Sequence, residues 1–156
     1  MALTLDELRG LMESLDFQYF IDPRRPLLRS GGKGQHGSYD FVLALQDDGN
    51  FLQLRTLGYQ SCAADHRNLG VALQVLADFN YSLRFLKFGW DSNDGEVVAY
   101  GDVWLADAKL SQPQFRAIFG NFVVGIDGCY PRITQAIQAG IDIGRKGESG
   151  GDIKEL

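Results

Sequence analysis

Apolar residues recur at helical spacing in three segments of the chain, and each segment has signals that mark its start. The first stripe, within residues 5–15, follows Thr4, and a glutamate three residues after this threonine completes a capping box. A second stripe occupies residues 67–81. The third covers residues 112–141 and follows Ser111, a good N-cap residue, with a proline in the first turn. The pattern therefore predicts three amphipathic helices.

Between these stripes the apolar period changes from three or four residues to two. Alternation is typical of half-buried strands, and it predicts strands near 39–46, 50–57, 84–91 and 96–105. Short turn sequences, Asp-Asp-Gly and Ser-Asn-Asp-Gly, join the members of each pair, which indicates two antiparallel hairpins. We therefore expect an α+β fold in which an antiparallel sheet is flanked by helices.

Four segments are less regular. Residues 17–21 are either a short strand or a docked extension, and the pattern does not separate the two interpretations. Residues 22–38 combine prolines, glycines and basic residues, and are predicted to be a long basic loop. Pro131 should kink or interrupt the last helix near Asp127-Gly128. The glycine-rich end, residues 144–156, is expected to be a flexible tail.

The second hairpin has two faces of unusual composition. If it pairs symmetrically about its turn, Leu86, Phe88 and Trp90 share one coherent core face. The opposite face then holds Phe85, Val98, Tyr100 and Trp104, which a solvated face would rarely combine. Either a helix of the same chain covers this patch, or it is a partner-binding surface.

Composition and charge indicate a single-domain protein and argue against membrane and nucleic-acid-binding proteins. A chain of 156 residues with 45% hydrophobic content is predicted to form a single domain over residues 1–143. No apolar run is long enough to span a membrane, and the two isolated cysteines, Cys62 and Cys129, are interpreted as buried thiols in the cytoplasm. The net charge of −5 argues against nucleic-acid binding. Residues 22–38 nevertheless carry four cations and one aspartate, a net +3, so the remainder carries −8.

Candidate chemical motifs are better explained as ordinary structure. Ser30 to Gly34 lacks the residue order and the following helix of a phosphate loop, so it is interpreted as a flexible basic loop. Asp91 to Gly95 does not place its glycine and terminal acidic ligand as a calcium loop requires. His36 and His66 lie far apart, and neither cysteine has zinc-ligand spacing. We therefore expect no cofactor, no metal and no enzymatic activity.

The order of elements and particular residues along the chain resemble a known family. The order resembles the type III secretion chaperone-like fold, written α-β-β-(β)-α-β-β-α, and within it the YbjN family of small bacterial proteins. The resemblance rests on Leu76 to Asn80, Phe85, Phe88, Asp94-Gly95, Val103-Trp104-Leu105, Leu110 to Phe115 and Tyr130-Pro131.

The resemblance implies a function as well as a fold. YbjN proteins are often labelled sensory transduction regulators, and chaperones of this fold are small, acidic, often dimeric proteins that hold segments of a client. We therefore expect a chaperone-like or adaptor protein that binds a segment of a protein partner, or a second copy of itself, and assists assembly of a larger complex. The expected partner-binding residues are Phe85, Val98, Tyr100, Trp104, Arg24 and Arg25. The alternative is a regulator that senses a small ligand or anion through residues 22–38.

Overall fold

The computed structural model describes residues 3–144, which form three α-helices, one short 3-10 helix (Asp47–Gly49) and seven strands. In chain order they are α1 (Leu5–Ser14), β1 (Tyr19–Ile21), β2 (Leu27–Lys33), β3 (Ser38–Gln46), β4 (Phe51–Leu57), β5 (Gln60–Ser61), α2 (Leu69–Ser82), β6 (Lys87–Trp90), β7 (Glu96–Trp104) and α3 (Gln112–Ala139). The predicted helices and both hairpins are confirmed. The predicted flexible tail, apart from Gly144, lies outside the described residues.

All seven strands belong to one antiparallel sheet. Its order is β1-β2-β3-β4-β7-β5, and β6 pairs with β7 as well. The register places Leu28, Leu43, Leu54 and Gly101 side by side across four strands. Side chains alternate between the two sides of a sheet, so this line fixes which residues of every strand share a face.

One face of the sheet carries the hydrophobic core. A single cluster joins this face to the buried residues of all three helices, and Phe41 packs edge-on against Phe122 of α3 at 5.3 Å between ring centroids. Phe88 packs against Phe79 of α2 at 5.6 Å. We call this side the inner face; its members include Leu28, Phe41, Leu43, Leu45, Leu52, Leu54, Phe88, Val97 and Ala99. The fold therefore has two layers, one of helices and one of strands.

Side-chain caps fix where the first and last helices begin. The backbone N–H of Glu7 donates to Thr4 Oγ1 at 3.2 Å, and the Glu7 carboxylate accepts from the Thr4 N–H at 2.8 Å. Ser111 and Gln114 form the same reciprocal pair at the start of α3. Both predicted N-termini are confirmed.

The last helix continues through Pro131, so an interruption, one of the two predicted outcomes, is wrong, while a kink stays a prediction. Proline removes one helical hydrogen bond, but tertiary contacts hold the part of α3 that directly precedes this position. The Tyr59 hydroxyl donates to the Ile126 carbonyl at 2.5 Å, and Gln60 Nε2 donates to the Tyr130 carbonyl at 3.2 Å. Packing of α3 on the sheet thus outweighs the local cost of the proline.

The prediction that residues 22–38 form a long loop is wrong, because residues 27–33 are strand β2. Leu28 of this strand is buried in the core, and every residue of the strand has a partner on β3. Gly31 suits this hairpin, since a β-carbon there would collide with the Tyr39 carbonyl oxygen. Composition alone therefore suggested a loop where long-range pairing supplies the backbone hydrogen bonds.

Residues 17–21 combine both interpretations that the sequence left open. Tyr19–Ile21 form the edge strand β1, whereas Phe17 docks edge-on against Phe119 at 4.8 Å. The sequence pattern does not predict the short strand β5, which lies in the connection between β4 and α2.

Candidate partner-binding face

The side of the sheet opposite the core is not covered by any helix within residues 3–144. All three helices pack on the inner face, and the two buried residues Phe51 and Val98, which lie on the other side, are outside the core cluster. We call this side the outer face. It includes Phe20, Leu27, Arg29, Asp40, Val42, Ala44, Gln46, Phe51, Gln53, Arg55, Leu57, Lys87, Glu96, Val98, Tyr100, Asp102 and Trp104. The described helices therefore do not cover the predicted aromatic patch.

Three of the predicted patch residues, Val98, Tyr100 and Trp104, lie on the outer face. Trp104 is 72% exposed and stacks at an angle on Phe51, its cross-strand neighbour, with 4.6 Å between ring centroids. Val98 is only 9% exposed, because it and Tyr100 lean over Gly89, which has no side chain to displace them. The face therefore carries two small apolar groups, Val98 with Tyr100 and Phe51 with Trp104, and Asp102 lies between them on β7.

The fourth predicted member, Phe85, lies elsewhere, so its assignment to this face is wrong. Its φ of 64° is in the left-handed region, and strand β6 begins only at Lys87. The Phe85 ring lies over Gly101, where a β-carbon would collide with it, and it packs against the inner core. Period-two reasoning failed here because the residue does not have strand dihedral angles.

Apolar and cationic side chains alternate in one row across the outer face. In register order the row runs Phe20, Arg29, Val42, Arg55, Tyr100 and Lys87. Arg55 lies 3.7 Å from a carboxylate oxygen of Glu96, and the Lys87 ammonium donates to two backbone carbonyls near the end of α2. Arg29 has no such partner among the described residues.

Arg24 and Arg25 belong to the same side of the molecule. They lie in the β1–β2 connection, beside a groove of about 470 Å³ whose lining includes Phe20, Leu27 and Arg29. The Asp22 carboxylate accepts from the Arg24 backbone N–H at 2.8 Å and from Arg25 Nε at 3.2 Å, and the first of these bonds contributes most to lowering the pKa of Asp22. The structure thus brings the predicted arginines to the predicted face, beside β1 and β2, whereas Trp104 lies on β7.

The sequence analysis missed Phe20, Arg29 and Val42 as members of this face. A signal was present, because Leu27 and Arg29 alternate with the buried Leu28. The glycines and prolines of residues 22–38 concealed this strand pattern. Without β2, no register could connect the N-terminal aromatic residues to the rest of the sheet.

A second cleft, of about 650 Å³, lies between α3 and the β2–β3 turn, and bears on the alternative of anion sensing. The Asp127 carboxylate accepts from the backbone N–H groups of Gln35 and His36, both at 2.9 Å, and from the Tyr39 hydroxyl at 2.7 Å. Burial opposes ionisation of Asp127, but these hydrogen bonds outweigh it and lower its pKa. The turn's N–H groups therefore already serve an internal carboxylate, which would repel an anion.

Two further findings concern residues 3–144. They contain no cluster of three or more histidine, cysteine, aspartate or glutamate side chains arranged to hold a metal ion. None of the helices in this range is long and apolar enough to cross a membrane.

Comparison with known proteins identifies relatives of this chain. The model of the YbjN family, described as "Putative bacterial sensory transduction regulator", matches residues 4–135. No curated protein sequence matches the chain significantly.

Solved structures share the fold at low sequence identity. The crystal structure of YbjN from E. coli is 16% identical, with a TM-score of 0.63 over 83% of this chain and 90% of that one. A chain of the ExsC–ExsE complex is 21% identical, with a TM-score of 0.58 over 89% and 99%. A chain of the HopA1–SchA chaperone–effector complex is 16% identical, with a TM-score of 0.52 over 78% and 88%. The expected chaperone-like α+β fold is therefore confirmed.

Proposed function

The chain belongs to the YbjN family, and from this premise we propose that it is a non-enzymatic, chaperone-like adaptor protein of the cytoplasm. Its outer face binds a segment of a protein partner and so assists assembly of a larger complex.

The outer face, which no helix within residues 3–144 covers, carries this proposal. A sheet face that displays Tyr100 and an exposed Trp104, together with two buried apolar residues, is typical of a protein interface, since aromatic side chains dominate such surfaces. Two of the structures with a similar fold are of complexes, the ExsC–ExsE complex and the HopA1–SchA chaperone–effector complex. These complexes support a role in protein binding for the shared fold.

The alternative, a sensor of a small ligand or anion through residues 22–38, has less support. Strand β2 takes up much of this segment, and Asp127 occupies the N–H groups of the turn that follows. The adaptor therefore remains the function that the geometry favours.

A double substitution tests the proposal. Tyr100→Ser with Trp104→Ser should abolish capture of the partner from extracts of the native host, because a few aromatic anchors supply most interface energy. Tyr81→Ser is the matched control, since Tyr81 is 95% exposed on α2, on the other side of the molecule. Mass spectrometry identifies the captured protein, and circular dichroism checks that each variant is folded.

Size-exclusion chromatography with light scattering distinguishes the two kinds of partner. If the double variant changes from dimer to monomer, the face joins two copies of this chain. If it captures the same proteins as the wild type in the same oligomeric state, the outer face is not the binding site and the proposal fails.

A further inference from the structure

We infer that the groove at the β1 edge of the outer face recognises an acidic segment of the partner, in which carboxylates flank one apolar side chain. This groove, the arginine groove, is lined by Phe20, Ile21, Asp22, Pro23, Arg24, Arg25, Leu27, Arg29, Val42 and Leu57. The inference rests on the proposed function and adds to it the chemistry of the bound segment.

The charge of the groove is opposite to that of the protein. Arg24, Arg25 and Arg29 face one aspartate within a chain of net charge −5. Asp22 pairs with the side chain of Arg25 alone, and no carboxylate among residues 3–144 forms an ion pair with the side chain of Arg24 or Arg29. Two guanidinium groups therefore remain available to carboxylates supplied by a partner.

The floor of the groove is apolar. Leu27, Val42 and Leu57 are half-buried, and Phe20 is 74% exposed at the rim. A volume of about 470 Å³ accommodates at least one large aliphatic or aromatic side chain. Burying such a side chain would supply affinity, whereas the arginines on the rim would select for acidic neighbours.

The distribution of charge favours a peptide over a nucleic acid. Asp22 lies in the groove, and Glu96 and Asp102 lie farther along the same sheet, where Glu96 neutralises Arg55. A phosphate backbone following the outer face would meet these carboxylates, and the overall charge of −5 would repel it. A short acidic peptide can instead place its few charges on Arg24 and Arg29 alone.

The test uses the full chain and a displayed library of short random peptides. Peptides are selected on the wild-type protein and counter-selected on the variant with Arg24→Glu and Arg29→Glu. A second variant, Arg67→Glu with Arg116→Glu, has the same net charge but reverses exposed arginines outside the groove. Affinities of enriched peptides, and of versions with glutamine for glutamate and asparagine for aspartate, are measured by fluorescence anisotropy.

We expect the peptides lost by counter-selection to be enriched in aspartate and glutamate around one large apolar residue. Their affinity should fall about tenfold or more, both with the groove variant and with the amide versions, and should be kept by the control variant. Selection of neutral or basic peptides, no groove-dependent peptides, or equal binding by both charge-reversal variants overturns the inference. Tighter binding of a labelled single-stranded oligonucleotide through the same arginines also overturns it.

These outcomes are separable from failure of the proposed function. If the captured partner depends on Tyr100 and Trp104 but not on Arg24 and Arg29, the adaptor role stands and only the acidic specificity fails.

Discussion

The two faces of this sheet are built from the same strands, yet they differ in almost every property. On the inner face, neighbouring strands present a continuous apolar layer against three helices, with aromatic rings such as Phe41 and Phe122 in contact. On the outer face, apolar residues share the surface with charged and polar ones, in one row alternating with cations, and no described helix lies over them. Because side chains alternate along each strand, the same strands can stabilise the fold with one face and leave the other available for a partner. Substitutions on the inner face should therefore destabilise the protein, whereas substitutions on the outer face should change its binding.

The largest expected effect is on the inner face. Phe88→Ala should lower the free energy of unfolding by about 3–5 kcal/mol, because Phe88 is buried against Phe79 and Tyr59 and its removal leaves a cavity. Urea denaturation measures the loss. A loss below about 1 kcal/mol would mean that this face is not the core.

The next prediction concerns the residue that the sequence placed on the wrong face. Gly101→Ala should destabilise by about 1–3 kcal/mol, since its methyl group would collide with the Phe85 ring. Adding Phe85→Ala should relieve part of this cost, so the double variant should lose less than the sum of the two single variants. Strict additivity in denaturation experiments would show that Phe85 does not pack over Gly101.

A smaller effect is expected at the turn that fastens β2 and β3 to α3. Asp127→Asn should cost about 1 kcal/mol, because the amide replaces a charged acceptor of three hydrogen bonds at a partly exposed site. The folded-state pKa of Asp127 lies below the usual 3.8. The ionised Asp127 carboxylate therefore stabilises the fold fully above pH 3.8. This stabilisation is lost as the pH falls through the lower pKa of the folded state.

Denaturation of wild type and Asp127→Asn at neutral and acidic pH tests this linkage. The difference in free energy of unfolding between wild type and Asp127→Asn should be smaller at acidic pH than at neutral pH. Asp65→Asn, at an exposed position in the connection before α2, is the control and should change little at either pH. A difference that grows in acid contradicts the assignment of Asp127 as an ionised acceptor.

The smallest effect on stability is expected on the outer face. Trp104→Ala should cost about 1 kcal/mol or less, since the indole is largely exposed and its main contact is one ring, Phe51. Phe122→Ala, on the inner side, should cost about 3–5 kcal/mol by the same measurement. Equal losses would remove the distinction between the two faces.

Local rules were sufficient for much of the fold. The caps at Thr4 and Ser111 act within one helical turn, and the second hairpin pairs Phe88 with Ala99 and Trp90 with Val97 as its turn and alternation predict. They also predicted that Val98, Tyr100 and Trp104 share a face. Each of these features depends on residues close together in the chain.

What only the tertiary structure decided depends on contacts between distant residues. Strand β2 exists because β3 supplies its hydrogen bonds, α3 passes Pro131 because the sheet holds it, and Phe85 turns inward because Gly101 leaves room for its ring. The same holds for the candidate site. The sequence alone determined that an aromatic patch and a basic segment exist. Only the register of the sheet placed them on one face, which no described helix covers, since strand pairing brings together residues far apart in the chain.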